Sequence, residues 1–252
     1  MSQILKLKAH GARIRATLAA HTAGFWFWHL LLPLLLGLLL WKVYPATGWD
    51  DAVERWYYDP VSRSFPLRDV IWMTAGMHTG LKLAMIAVGV AVFGAWVATF
   101  FNAELRRERG RLAWIWLAML VASQFIALLK NQSIHHCPWD IADYGGYAPH
   151  LALFDPLPAG ITPGRCFPGG HASAGFMLMA LYFGLRHDRP SWANASLLGA
   201  LLLGGIMGWS QTMRGAHFVS HTLWSAWVVW LVLLAAYLLF PLQSATVNQN
   251  KK

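Results

Sequence analysis

The strongest constraint on this chain is a series of apolar runs, several of which approach the roughly 20 residues an α-helix needs to cross about 30 Å of hydrocarbon. They lie at about Phe25 to Tyr44, Leu83 to Phe101, Leu112 to Leu129, His171 to Leu185, Ala193 to Thr212 and Thr222 to Phe240, each bounded by charge or by Gly and Pro. Inside lipid every backbone N–H and C=O must find its partner within the protein, so such runs fold as helices. The sequence therefore predicts an all-α, polytopic membrane bundle of six transmembrane helices. Composition agrees, with 57% hydrophobic and 12% charged residues among 252, where an ordinary soluble domain carries about 25% charge.

Orientation follows from the basic residues. Lys6, Lys8, Arg13, Arg15, Arg106, Arg107, Arg109, Arg111, Arg186, Arg189, Lys251 and Lys252 all fall at the termini or in the second and fourth loops. By the positive-inside rule these segments are cytoplasmic, and six crossings put both termini there. In a bacterium this is the inner membrane, with the remaining loops facing the periplasm. The formal charge of +9 is then explained by topology and by attraction to anionic lipid, which leaves nucleic acid a poor partner. The first run is too long for a signal-peptide core and follows a basic stretch without a convincing cleavage site, so it is expected to stay as an anchor.

One membrane domain, 1–252, is expected, since no internal repeat or linker divides the chain. Residues 1–24 form a cytoplasmic N-terminal segment and 241–252 a cytoplasmic tail. Residues 45–82, with Trp56, Tyr57, Tyr58 and the Asp59-Pro60 turn, are too polar to span and are expected as an amphipathic segment at the outer interface. The loop from Asn131 to Gly170 is the most polar and turn-rich stretch and holds both cysteines, Cys137 and Cys166. In an oxidising compartment these are a candidate disulfide, provided their Cα atoms come within about 7 Å.

Three polar clusters occur where spans meet the outer face: Lys130 to Asp140, Arg165 to His171, and Ser210 to His221. Ionisable groups at span ends are costly unless they pair or work, so their convergence marks a candidate site within 130–225. In the middle cluster, Gly169 and Gly170 let backbone approach an anion just before an apolar helix, whose N-terminal amides favour a phosphate oxygen. His171 follows at once; its plainer role is an interfacial helix cap. His217 and His221 are four apart and share a helical face, with Arg214 a turn earlier. The same spacing fits a metal pair, and His135, His136 and Cys137 are near. There is no His-Glu-x-x-His pattern, however, and a disulfide would consume Cys137, so neither metal nor cofactor is expected.

In order and position these clusters resemble the type 2 phosphatidic acid phosphatase superfamily of membrane enzymes. The family's first motif is Lys, six residues, Arg-Pro; here Lys130 is followed after six residues by Cys137-Pro138. Its second, Pro-Ser-Gly-His, corresponds to Pro168-Gly169-Gly170-His171. Its third is Ser-Arg, five residues, His, three residues, Asp, against Ser210-Gln211, His217 and His221. The resemblance implies a metal-independent reaction on a lipid phosphate or diphosphate. His217 attacks phosphorus, His171 protonates the leaving oxygen and later activates water, and Lys130 with the amides of Gly169 and Gly170 holds the phosphate.

Four family positions differ: Arg to Cys137, Ser to Gly169, Arg to Gln211 and Asp to His221. Arg165 and Arg214 stand near the two missing guanidiniums and are candidate substitutes, while Ser210 and Gln211 remain contact candidates. His221 is expected either to form a dyad with His217 or to leave orientation to a carboxylate such as Asp69, Asp140 or Asp143. Two readings from other classes stay open: a non-catalytic binder of anionic lipid headgroups, and a metal- or haem-binding membrane protein. Headgroup, oligomeric state and the choice between hydrolysis and transfer are not legible in one chain.

Overall fold

A computed structural model describes residues 3–242; the basic pair Lys251 and Lys252 lies outside them. The protein is a helical bundle, and among the described residues the only β pairing is two isolated bridges, Asp59–Ser64 and Ile141–Ala148. After an N-terminal helix α1 (Gln3–Ala20) come α2 (Ala23–Lys42) and a short interfacial α3 (Trp49–Glu54). The remainder are α4 (Trp72–Ala98), α5 (Glu104–Gln132), α6 (Gly170–Leu185), α7 (Pro190–Thr212) and α8 (Val219–Leu239). Five of these, α2, α4, α5, α7 and α8, are long and apolar enough to cross a membrane. The fourth expected run, α6, is shorter and is broken at Met177 and Leu178.

The largest shift of boundary is in α4, which begins at Trp72, not near Leu83. The stretch Trp72–Gly80 forms a wide helical segment that continues into the apolar helix. Only 6% of the most apolar stretch of α4 is buried, against 33% in α5 and α8, which makes α4 the peripheral helix. Its Val90 and the Leu34–Leu36 run of α2 are exposed, as suits surfaces that face lipid tails.

Packing is tightest where glycines remove side-chain bulk. A Cβ at Gly175 would lie 2.5 Å from the Gly204 nitrogen, and one at Gly208 would overlap Thr222. These close approaches bind α6 to α7 and α7 to α8. Gly205 meets nothing within 4 Å, so it is not part of that seam. Pro33 has no N–H to offer the His29 carbonyl four residues back. The Trp230 indole from α8 donates to that carbonyl at 2.9 Å, and Trp227 donates to the Pro33 carbonyl at 2.7 Å. Two indoles thus satisfy backbone inside the membrane and pin α8 to α2.

At one end of the bundle, residues 45–71 and 133–169 fold together over the helix ends. Phe65, Ile141, Tyr144 and Phe218 form a small separate core there. The two ends of the long loop run side by side: Gly164, Arg165 and Cys166 donate to the carbonyls of Ile134, Ser133 and His135. Cys137 and Cys166 are joined in a disulfide, with Cα atoms 5.2 Å apart.

Candidate active site

All three polar clusters meet at this capped end. Lys130 stands at the C-terminal turn of α5, and its Nζ lies 3.9 Å from where a Cβ on Gly170 would be. Gly170 is the first residue of α6 and His171 the second. The ammonium thus sits beside a helix N-terminus, where partial positive charge and outward N–H groups favour an anion.

The third cluster turns through Gly215, whose φ of 68° is left-handed and therefore suits glycine. Gly215 N–H donates to the Thr212 carbonyl and Ala216 N–H to that of Gln211. The Thr212 hydroxyl donates to the His217 carbonyl at 2.8 Å. These bonds fix the backbone from which His217 projects. His217 and His221 are both buried, and their Nδ1 atoms are 3.3 Å apart. One Nδ1 carries the proton and the other accepts it, so the pair is tautomerically linked. The Cys166 sulfur is 3.4 Å from His217 Nδ1; being bridged, it bears no proton and is only an acceptor. Within the described residues His217 Nε2 enters none of the hydrogen bonds. Burial pushes the His217 imidazole well below its ordinary range, and the nearby Lys130, His221 and His171 push it further in the same direction. At neutral pH it is an uncharged imidazole.

His171 Nε2 donates to the Met77 carbonyl at 3.0 Å, and the ring stacks on His78 at 4.8 Å between centroids. Both partners come from the wide turn that opens α4. A backbone carbonyl carries no sequence signature, and only the approach of α4 to α6 reveals Met77. Arg214 is buried; it donates from Nε to the Arg68 carbonyl at 2.9 Å and from one Nη to Gln211 Oε1 at 3.1 Å. Burial presses its pKa downward while the Asp69 charge works against that, and the group stays a cation at any accessible pH. Gln211 in turn donates to the Ser210 hydroxyl at 3.0 Å, which donates to the Met207 carbonyl at 2.8 Å. Gln211 and Ser210 therefore form a chain that orients Arg214.

Several expected contacts are placed elsewhere. Gly169 N–H is committed to the His221 carbonyl at 3.2 Å, and the Gly169 carbonyl accepts from the Ser225 hydroxyl at 3.0 Å. That amide ties the glycine turn to α8 and is not free for a phosphate. Arg165 is exposed, with φ of 52°; its backbone pairs with Ser133, and within the described residues its side chain enters no hydrogen bond or ion pair. Asp69 faces Arg214, and Asp140 accepts from the Trp139 indole at 3.0 Å. No described bond joins Asp69, Asp140 or Asp143 to His217, whose Nδ1 partner is His221. Cys166, His217 and His221 offer donor atoms within 4.8 Å of one another. The bridged sulfur is not a thiolate, however, so this trio is no zinc-thiolate centre.

A family model described as the PAP2 superfamily matches residues 111–244, more than half of the chain. No curated protein and no solved structure matches it. The matched residues include Lys130, the glycine turn and both histidines of the third cluster.

Proposed function

Because the chain belongs to the PAP2 superfamily, whose members are phosphatases, we propose that it hydrolyses or transfers a phosphate on a membrane lipid through a phosphohistidine at His217. The observation that carries this reading is the Nδ1–Nδ1 contact of 3.3 Å between His217 and His221. With the proton on His217 Nδ1 and His221 as acceptor, the His217 Nε2 lone pair is free to attack. The neutral state favoured by burial supplies that lone pair.

In the first step Nε2 forms a bond to phosphorus as the bond from phosphorus to the lipid oxygen breaks, and His171, its Nε2–H held by the Met77 carbonyl, gives that oxygen a proton from Nδ1. In the second, water attacks phosphorus, His171 takes the water's proton, and the P–N bond breaks to release phosphate. A lipid hydroxyl in place of water makes the reaction a transfer. Lys130 and the N-terminus of α6 at Gly170 neutralise the equatorial oxygens. Arg214, held by Gln211 and Ser210, supplies the guanidinium that the family places at position 211. Neither step calls for a metal. The active site faces the periplasm, with both termini cytoplasmic, in a bacterial inner membrane.

Rapid quench with a radiolabelled lipid phosphate, under conditions that preserve phosphoramidates, tests this. A labelled adduct on His217 is expected, together with a fall in turnover of about 10⁴-fold or more in His217→Ala. Turnover that survives that substitution would overturn the proposal.

A further inference from the structure

Beside His221 lies a cavity of about 380 Å³ whose wall contrasts with the rest of the chain. The protein carries a formal charge of +9. Yet the residues lining this cavity include Asp50, Asp51 and Asp155, and neither Lys nor Arg is among them. Phe167 and Trp224 supply aromatic walls, with Trp41, one face of which already holds the Lys42 ammonium 3.7 Å from its centroid. Carboxylates opposite aromatic rings select organic ammonium groups, by charge and through the rings' negative faces.

The acidic groups are placed and retain acceptor capacity. Asp50 Oδ1 accepts from the Tyr44 hydroxyl and the Ser220 N–H, both at 2.9 Å. Asp51 Oδ1 accepts from the Tyr144 hydroxyl at 2.7 Å, and His150 stands 3.9 Å away, too far for a hydrogen bond. An independent sign of a missing ligand is His136. It lines the cavity at 3% exposure, and both its ring nitrogens are buried without a partner. A buried imidazole with neither nitrogen satisfied is unfavourable unless something polar enters beside it.

The cavity also adjoins an apolar groove of about 440 Å³. That groove shares Trp41, Phe167 and Trp224 with it and runs along Gly37, Leu38 and Val228 of α2 and α8. Polar chamber and apolar groove together match an amphiphile. We propose that the chamber receives the ammonium-bearing headgroup of a lipid whose tail lies between α2 and α8. Its position beside His221 sets this lipid next to the reacting imidazoles, a step that rests on the phosphohistidine reading; the binding itself does not.

Trp41 and Trp224 report occupancy through intrinsic fluorescence. Protein in a neutral maltoside detergent is titrated with dioctanoyl phosphatidylethanolamine and, separately, with dioctanoyl phosphatidylglycerol. Saturable quenching with a preference of about tenfold for the ethanolamine lipid is expected, the scale of one hydrogen bond to a charged group. His217→Ala keeps that preference; Asp51→Asn loses it, and Asp155→Asn on the exposed rim weakens it should Asp51→Asn not fold. Equal binding of the two lipids, or a preference untouched by both substitutions, overturns the proposal. Stoichiometric zinc lost in His136→Ala would reassign the chamber to a metal and overturn it equally. Turnover without ethanolamine preference sinks this inference alone, whereas preference without a His217 adduct sinks only the catalytic one.

Discussion

At the position where the family carries an aspartate, this chain has His221, and burial holds the pKa of its neighbour His217 well below the ordinary range. A neutral imidazole holds the tautomer of its partner by accepting one hydrogen bond, but it adds no negative charge to favour the imidazolium. Restoring a carboxylate reverses that. In His221→Asp the new charge raises the pKa of His217, and since attack needs the unprotonated Nε2, the acid limb of the kcat/KM profile is expected to move to higher pH. A limb that stays in place would separate position 221 from the nucleophile. The Arg214–Gln211 pair makes a second residue-scale prediction. Gln211 touches the guanidinium at 3.1 Å and acts through it. Arg214→Ala should therefore lower kcat/KM by about 10²-fold or more, and Gln211→Ala by about tenfold. The reverse ranking in steady-state assays would refute the orienting role. The need for a cation near position 211 was readable from the motif. That Gln211 had become the holder of a cation three residues on was not, because spacing does not say which way two side chains point.

Among the elements, α3 carries the largest local penalty. Glu54 is fully buried, and neither carboxylate oxygen has a partner. Burial, followed by the charges of Asp50 and Asp51, raises its pKa well above the usual carboxylate range. A raised carboxyl pKa means the folded protein holds a proton that the unfolded chain releases above about pH 4.3. That contribution to stability is full below the unfolded value and is lost as pH rises toward the folded one. Glu54→Gln, which is neutral at every pH, should raise the thermal midpoint more at pH 8 than at pH 5. Equal effects at both values in a melting series would show that Glu54 is already charged in the fold. For α4 the structure adds a continuity that hydropathy did not carry. The end of the segment expected at the interface is helical from Trp72 and runs unbroken into the apolar helix, and that brings Met77 and His78 against His171. Local hydropathy cannot register a helix that continues because another helix packs against its polar turn.

For the molecule as a whole, the distribution of Lys and Arg predicts the direction in which the bundle sits. With both native cysteines bridged, single cysteines can be added without competing thiols. A cysteine in place of Tyr147 should be labelled in intact cells by a membrane-impermeant thiol reagent, and one in place of Arg189 only after permeabilisation. Labelling of both in intact cells would contradict the assigned orientation. Apolar runs of membrane-spanning length, bounded by charge and by Gly and Pro, were enough to determine a helical membrane bundle, since lipid leaves the backbone no other open-chain solution. The order of Lys130, the glycine turn, His217 and His221 was enough to indicate the family. Which groups within that site are free was decided only by tertiary contact. Gly169 N–H is taken by His221 and His171 Nε2 by Met77, which leaves Nδ1 of that ring, while Arg165 is left outside. A chamber lined by Asp50, Asp51, Asp155 and four histidines is assembled from α2, α3, α8 and the loops between them. Hydrogen-bond partners and cavities are properties of chain segments brought together across the fold, and a linear motif does not carry that distance.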